Sequence, residues 1–436
     1  MKEKVTTKSF CNSTIPSDWE VKKLGECCLV KGEYGINAAA FEYSDELPTY
    51  IRITDIDDDG NYSAIKKVSV DDENSGSFIL RKGDIVFART GATVGKTYLY
   101  DERDGELVFA GFLIRFRPDE SILLTEHLRN FTLTKSYWDW VKAVSMRSGQ
   151  PGINAEEYGS LKLPLPPLPE QKAIAHILSL MDTAINKNNL LIAKKELQKK
   201  WLMQNLLSGK KRLKGFGKEK WKIIKLGDAF EFIKSYSLSR EGLSKSNKEN
   251  SIYCIHYGDI HAFYETEFLD FSIQQSIPQI IDDAQKVNEK DYLKDGDVIM
   301  ADASEDYEGV GEVVEVVNLI NKIAVGGLHT IVLRGNSDFI ANGFRGYLFS
   351  SEAVRNVMRK MATGTSVYSV TKSTLQNLSL KIPDSLKEQV AIAQVLQVAD
   401  KEIQLLKAKT EKLREQKKGV MQVLLTGKKR LKIDNK

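Results

Sequence analysis

The sequence predicts an α+β protein: two domains of mixed β-sheet plus helices, separated by two long helices that pair as an antiparallel coiled coil about a pseudo-twofold axis. Three observations carry that prediction. The chain of 436 residues repeats itself at an offset of 218, as when Glu170 is laid over Glu388. Each repeated block carries a heptad stripe. Both preceding blocks alternate strand-like segments with turns and then turn helical.

The repeat comes first. Residues 170–214 lie in gapless register with residues 388–432, and 22 of those 45 positions are identical. EQKAIAHILSLMDTAI sits over EQVAIAQVLQVADKEI, and KKWLMQNLLSGKKRLK over KKGVMQVLLTGKKRLK. Upstream the match thins and the offset drifts: Trp19, Leu24 and Gly25 meet Trp221, Leu226 and Gly227, while Gly83 and Asp84 meet Gly296 and Asp297. A drifting offset means insertions, which collect in loops. The unit is too long for a solenoid repeat of roughly 20–50 residues. It is a two-part unit present twice, a variable block followed by a nearly constant one.

The constant blocks read as helices. In the second, apolar residues fall at Ile392, Leu396, Ala399, Ile403, Leu406, Leu413, Val420 and Leu424, with Thr410 and Lys417 completing the stripe. The gaps alternate between four and three, a coiled-coil period. The first block gives Ile174, Leu178, Met181, Ile185, Asn188, Ile192, Lys195, Lys199, Leu202 and Leu206. A capping pattern at residues 385–388, Pro169 in the first turn of the other copy, and Gly209 and Gly427 after the last leucines mark the ends. About 38 residues at ~1.5 Å each make a rod on the order of 57 Å. Two matching rods in one chain most simply pair with each other. The polar seam residues Asn188, Lys199 and Lys417 are candidates for setting register or binding a partner.

The variable blocks read as α+β. Strands are expected at residues 50–56, 85–88, 97–100, 252–255, 298–301 and 331–333, with helices at 125–144 and 338–361. Pro164, Pro166, Pro167, Pro169 and Pro383 stand where the domains give way to the helices, and proline stiffens such a connection. The expected division is domain 1–165, helix 166–214, domain 215–383 and helix 384–436.

Composition narrows the function. Hydrophobic content of 42% and charged content of 28% are those of a globular protein. No apolar run approaches the roughly 18 residues of a membrane span, and MKEKVTTKSF has no apolar stretch behind its lysines, so neither membrane nor secretion is expected. Cys11, Cys27, Cys28 and Cys254 lack C-x-x-C spacing and the five histidines lack zinc spacing, which predicts reduced thiols in the cytoplasm and no metal. Charge is divided. Net charge is +8 over residues 170–220 and +7 over 387–436, but −5 over 1–169 and −6 over 221–386. A free-standing DNA binder usually carries a basic footprint, and these domains do not.

No catalytic pattern survives inspection. In GATVGKT, residues 91–97, three residues separate the glycines where a phosphate loop needs four. There is no G-x-S-x-G elbow, and no Asn-Pro or Asp-Pro for the base-holding tetrapeptide of a DNA adenine methyltransferase. The chain reads as non-catalytic, with no cofactor of its own.

Several of these features resemble the specificity subunit of type I restriction–modification systems. The Pro-rich exit runs into Glu-Gln-x-x-Ile-Ala twice (Glu170, Gln171, Ile174, Ala175; Glu388, Gln389, Ile392, Ala393). The helices end in Met-Gln-x-Leu-Leu-[Ser/Thr]-Gly at residues 203–209 and 421–427. Pro16-Ser17-Asp18-Trp19-Glu20 with Lys23-Leu24-Gly25 opens the first domain, and Gly-Asp-[Ile/Val] strands begin at Gly83 and Gly296. Two features depart: Trp221 lacks the preceding proline, and the second glycine loop, residues 302–311, is acidic where the first, 89–96, is basic. The resemblance implies two target-recognition domains, each reading one half of a bipartite asymmetric site in double-stranded DNA. It implies helices that dock two adenine methyltransferase subunits, S-adenosylmethionine in those subunits, and ATP with Mg²⁺ in restriction/motor subunits. One turn of B-DNA is ~34 Å, so a rod of the expected length suits two readers about a turn apart.

Bidentate pairing of Arg or Lys with guanine, and of Asn or Gln with adenine, guides the choice of DNA contacts. In the first domain the candidates are Arg52, Arg89, Thr93, Lys96, Arg147, Ser148, Gln150 and Asn154; in the second, His256, Tyr257, Thr363, Thr365, Ser366, Tyr368 and Ser369. Other readings stay open. A non-catalytic coiled-coil scaffold for proteins explains the helices but not two divergent domains on like mounts. A hydrolase of unrecognised chemistry and the specificity subunit of a related bipartite-site restriction enzyme are the others.

Overall fold

The computed structural model describes residues 6–10, 13–146, 150–218, 220–238, 240–244, 251–264, 266–274, 277–281, 287–364 and 367–431. The heptad stripes become two helices of equal length, Leu168–Leu206 and Leu386–Leu424, 39 residues each. Every seam position named above is buried or half-buried, while most positions between them in the middle turns face solvent.

The chain forms two compact units, Met1–Asn189 with Lys409–Lys436, and Leu190–Ala408. Each unit thus contains the beginning of one long helix and the end of the other. In the first, Ile174 and Leu178 pack on Met421, Leu424 and Leu425. In the second, Leu202, Met203 and Leu206 share a core with Ile392 and Leu396. Early residues of one helix meet late residues of the other in both units, so the segments run antiparallel. In the second unit the helix ends are part of the domain core; in the first they form a cluster of their own, against which Leu133 packs.

The two domains repeat one sheet plan. In the first unit an antiparallel sheet has the spatial order Cys28–Tyr34, Leu113–Pro118, Ile85–Ala88, Thr97–Leu99. A smaller sheet has the order Leu107–Phe109, Thr49–Ile51, Val68–Ser69, Phe41–Glu42, its first pair parallel. The second unit matches the first sheet with Phe230–Ile233, Thr330–Gly335, Val298–Ala301 and Val313–Val317, and adds Phe268–Asp270 at the edge. It matches the smaller sheet with Ile323–Gly326, Ile252–Ile255, Gln279–Ile280 and Leu243–Ser244, the first pair again parallel. At the foot of each domain an early strand pairs with the last: Glu20–Lys23, which follows the paired strands Thr7–Phe10 and Ser13–Pro16, with Lys162–Leu165, and Trp221–Lys225 with Ser379–Pro383.

Three expected elements are shorter than the sequence suggests. The strand expected at 50–56 stops at Ile51, because the Arg52 N–H and guanidinium both bind Asp55 and wind Ile53–Asp55 into a turn of 3₁₀ helix. The helix at 125–144 is two, Thr125–Phe131 and Lys135–Ser145, since the Thr134 hydroxyl accepts the Tyr137 N–H and starts a new helix. Ser351 does the same between Arg345–Ser350 and Glu352–Met361. Ser and Thr compete for backbone donors and favour caps over helix interiors.

Gly95 and Gly311 hold φ at 91° and 72°, and a Cβ there would meet Val141 at 2.7 Å and Met358 at 3.0 Å. Gly95→Ala is expected to cost about 1–3 kcal/mol, through left-handed strain and overpacking. Urea unfolding of the full chain reads that loss.

Cys27, Cys28 and Cys254 are free and buried, and burial pushes their thiols up to about 11, about 12 and about 12. Cys11 lies outside the described residues. Among those described, no helix is long and apolar enough to cross a membrane.

Candidate nucleic-acid interface

Each domain builds a polar loop on the same hydrogen-bond frame. In the first, the Ala88 N–H donates to the Lys96 carbonyl at 2.8 Å, and the Ala88 carbonyl accepts from Gly95 at 3.0 Å. The Arg89 N–H donates to Phe112 at 3.0 Å, and the Arg89 carbonyl accepts from Ile153 at 2.8 Å. In the second, Ala301 donates to Glu312 at 2.8 Å and accepts from Gly311 at 3.3 Å, while Asp302 donates to His329 at 3.1 Å and accepts from Val370 at 2.9 Å. The four bonds align Arg89 with Asp302, Lys96 with Glu312, and Phe112 with His329. Six residues separate Arg89 from Lys96 and nine separate Asp302 from Glu312, so the second loop is longer.

In the first domain, the Arg89 guanidinium lies 4.8 Å over the Tyr34 ring. The Thr93 hydroxyl donates to the Thr90 carbonyl at 3.5 Å, and the exposed Gln150 lies beside Gly91. Lys96 Nζ donates to the Ile56 carbonyl at 3.2 Å and pairs with Asp58 at 2.7 Å. Arg52 and Asn154 have other work. Arg52 is clamped on Asp55, and Asn154 caps the helix Ala155–Gly159 by exchanging bonds with Glu157. Both side chains hold backbone in place. Arg147 and Ser148 lie outside the described residues, as do Thr365 and Ser366.

In the second domain, His256 is buried and caps the helix Tyr257–Phe263, its Nδ1 accepting the Gly258 N–H at 3.2 Å. Burial pushes this imidazole below its usual range. The half-buried Tyr257 ring stands 4.7, 6.0 and 5.3 Å from the rings of His256, His261 and His329. Thr363 and Ser369 exchange backbone bonds at 3.0 and 2.9 Å. Tyr368–Ser369 pairs with Ala303–Ser304, and the Tyr368 ring meets Tyr307 at 5.4 Å. Thr90 bridges Gly152 in the first domain as Ala303 pairs with Ser369 in the second. In both, then, a polar loop following a helix closes on the glycine loop.

Two residues escaped the sequence reading. Phe112 is 57% exposed although large and apolar, and His329 occupies the same place with half its side chain in solvent. The available signal was a glycine one or two residues before each, Gly111 and Gly327, marking a turn.

On the helices, Lys417 pairs with Asp182 at 2.6 Å in the first unit; Lys199 pairs with Asp400 at 2.6 Å and Glu267 at 2.7 Å in the second. At the 218-residue offset these are one lysine–aspartate pair met twice. Both lysines are therefore cross-links inside the chain, and Asn188 is half-buried on the seam. The Glu-Gln motif has a similar explanation. Buried Glu170 pairs with Arg430 at 2.6 Å, and buried Glu388 with Arg212 at 2.5 Å. Gln171 accepts from Leu124 and donates to Pro166 and Ile122; Gln389 accepts from Ala341 and donates to Pro383 and Phe339. One glutamine thus ties domain, exit and helix together.

Like frames carrying unlike side chains, mounted on paired helices, define a duplicated recognition protein. The chain belongs to the family of type I restriction modification DNA specificity domains, which matches it twice, over residues 16–194 and 218–415. It is a specificity subunit, a DNA-binding component and not the catalyst of such a system. The type I restriction enzyme MjaVIII specificity subunit of Methanocaldococcus jannaschii is 26% identical over 435 residues, 96% of this chain and 94% of that protein. The putative MjaX specificity subunit of the same organism is 28% identical over 438 residues, 96% and 95% of the two chains. Among solved structures, a chain of a type I R-M system shares the fold with a TM-score of 0.58 at 17% identity, covering 95% of this chain and 99% of that one. The S subunit from M. genitalium does so with a TM-score of 0.53 at 14% identity, covering 93% and 96%.

Proposed function

We propose that the chain selects the target of a type I restriction–modification complex. The first domain reads one half of a bipartite, asymmetric site in double-stranded DNA and the second reads the other. The helices dock two adenine methyltransferase subunits, which use S-adenosylmethionine, and restriction/motor subunits supply ATP- and Mg²⁺-dependent work. The complex acts in the cytoplasm. The observation that supports this most is the backbone frame built twice around Arg89 and Asp302 with different side chains on it. Phosphate contacts position a protein and base contacts specify. Domains of net negative charge suit that division if the partner subunits hold the phosphates.

Methylome sequencing of cells carrying the assembled system tests the reading. The expected motif has two defined halves around a non-specific gap. Exchanging residues 15–165 for the matching block of another specificity subunit is expected to change one half and leave the other intact. A motif without a gap, or one altered in both halves, would sink the two-reader arrangement.

A further inference from the structure

The bonds that align the two loops also align side chains of opposite sign. Where the first domain has Arg89 the second has Asp302, and where the first has Lys96 the second has Glu312. Each of these carboxylates is held by a histidine. Asp302 Oδ1 lies 3.2 Å from His329 Nδ1, and Glu312 Oε2 lies 2.7 Å from His261 Nδ1. An ionised carboxylate only accepts, so both imidazoles donate from Nδ1. His329 sits at φ 53°, an uncommon place for a residue other than glycine, and its ring packs edge-on to Tyr257. The surroundings are mixed: burial pushes the Asp302 carboxyl above its usual range, against His329 and Lys372, and Arg355 stands 3.9 Å from Glu312.

Base edges sort these groups. Guanine offers two acceptors, O6 and N7, to the major groove, which suits a guanidinium; a carboxylate needs an exocyclic amine. The adenine amine lies beside the acceptor N7, which repels a carboxylate. The cytosine amine has an acceptor, guanine O6, on one side only and C5–H on the other, whereas the adenine amine lies between its own N7 and thymine O4.

We propose that Asp302 is a specificity-determining residue of the second domain, accepting the N4 amine of a cytosine, while Arg89 at the same loop position of the first domain donates to guanine O6 and N7. The inference rests on the two-reader function above. His329 is a positioning residue: it engages Oδ1 and leaves the lone pairs of the other oxygen to the base.

The test is methylome sequencing of cells expressing the full chain with its methyltransferase subunits, as wild type, Asp302→Asn, Arg89→Gln and His329→Asn. Asp302→Asn is expected to relax one C·G position of the second half-site, raising methylation at sites with another base there by about ten- to a hundredfold, with the first half-site unchanged. Arg89→Gln relaxes one G·C position of the first half-site only. Asn tolerates positive φ, so His329→Asn keeps the carboxylate and loosens the same position as Asp302→Asn by less. An intact second half-site in Asp302→Asn, or relaxation at a pair that is not C·G, overturns the assignment. If Asp302→Asn abolishes methylation altogether, His329→Asn decides: a loosened C·G position in the second half-site supports the assignment, and an unchanged motif overturns it. Failure of the two-reader function would show differently, as a wild-type motif without two halves.

Discussion

Arg430→Ala is expected to destabilise the first unit by about 3–5 kcal/mol, because it strands a buried charge. Glu170 is 1% exposed and takes one bond from Trp19 Nε1 at 3.2 Å; Arg430 supplies two more at 2.6 Å each. The same guanidinium pairs with Asp18 at 2.9 Å, holding that carboxyl below its usual range, and lies 5.9 Å over the Trp19 ring. An exposed ion pair is worth about 1 kcal/mol or less, so Asp18 alone contributes little. Urea unfolding of the full chain measures the total, and hydrogen exchange in Glu20–Lys23 localises it. Adding Glu170→Gln to Arg430→Ala is expected to recover much of the loss by removing the stranded charge. A cost near that of a surface pair would show that Glu170 is not truly desolvated. Arg212→Ala should behave alike in the second unit, where Glu388 is fully buried.

Acid is expected to weaken the first unit through His127. This residue is buried in the helix Thr125–Phe131, and desolvation pushes its imidazole down to about 4, against a smaller opposite effect from the Pro164 carbonyl. An unfolded histidine titrates near 6.5. The folded state therefore refuses a proton that the unfolded state accepts. Stability is full above about pH 6.5, falls as pH drops toward 4, and stops falling below that. At ~1.4 kcal/mol per unit the loss reaches about 3 kcal/mol. Urea midpoints at pH 7 and pH 4.5 test this against His127→Leu, which should lose that part of the slope. Equal slopes in both proteins would remove His127 as the cause.

How much of this was legible in the sequence depended on how each signal is encoded. The long helices were readable nearly to their ends, since a heptad seam repeats the same demand every turn, and all of Ile392, Leu396, Ile403 and their counterparts are buried. The alignment of Arg89 with Asp302 was not readable, because three extra residues shift the second loop and only backbone hydrogen bonds restore the match. The local bonds of Arg52 and Asn154 were not legible either, because the residue types that read DNA are also those that clamp turns and cap helices. Lys199 and Lys417 stood out as polar seam positions, but their aspartates were not legible because they lie on the other helix, far away in sequence.

The paired strands at the foot of each domain have a consequence for inheritance. Glu20–Lys23 lies beside Lys162–Leu165, and Trp221–Lys225 beside Ser379–Pro383, so the polypeptide enters and leaves each domain through a single narrow doorway. A foreign domain with the same doorway fits where it also keeps the contacts to the helix ends, such as the carboxylate that meets Lys199 and the backbone that Gln171 and Gln389 bind. Recombination at the flanking segments can then trade one reader for another in a single event, giving a cell a new DNA target while the helices and their cross-links stay as they are.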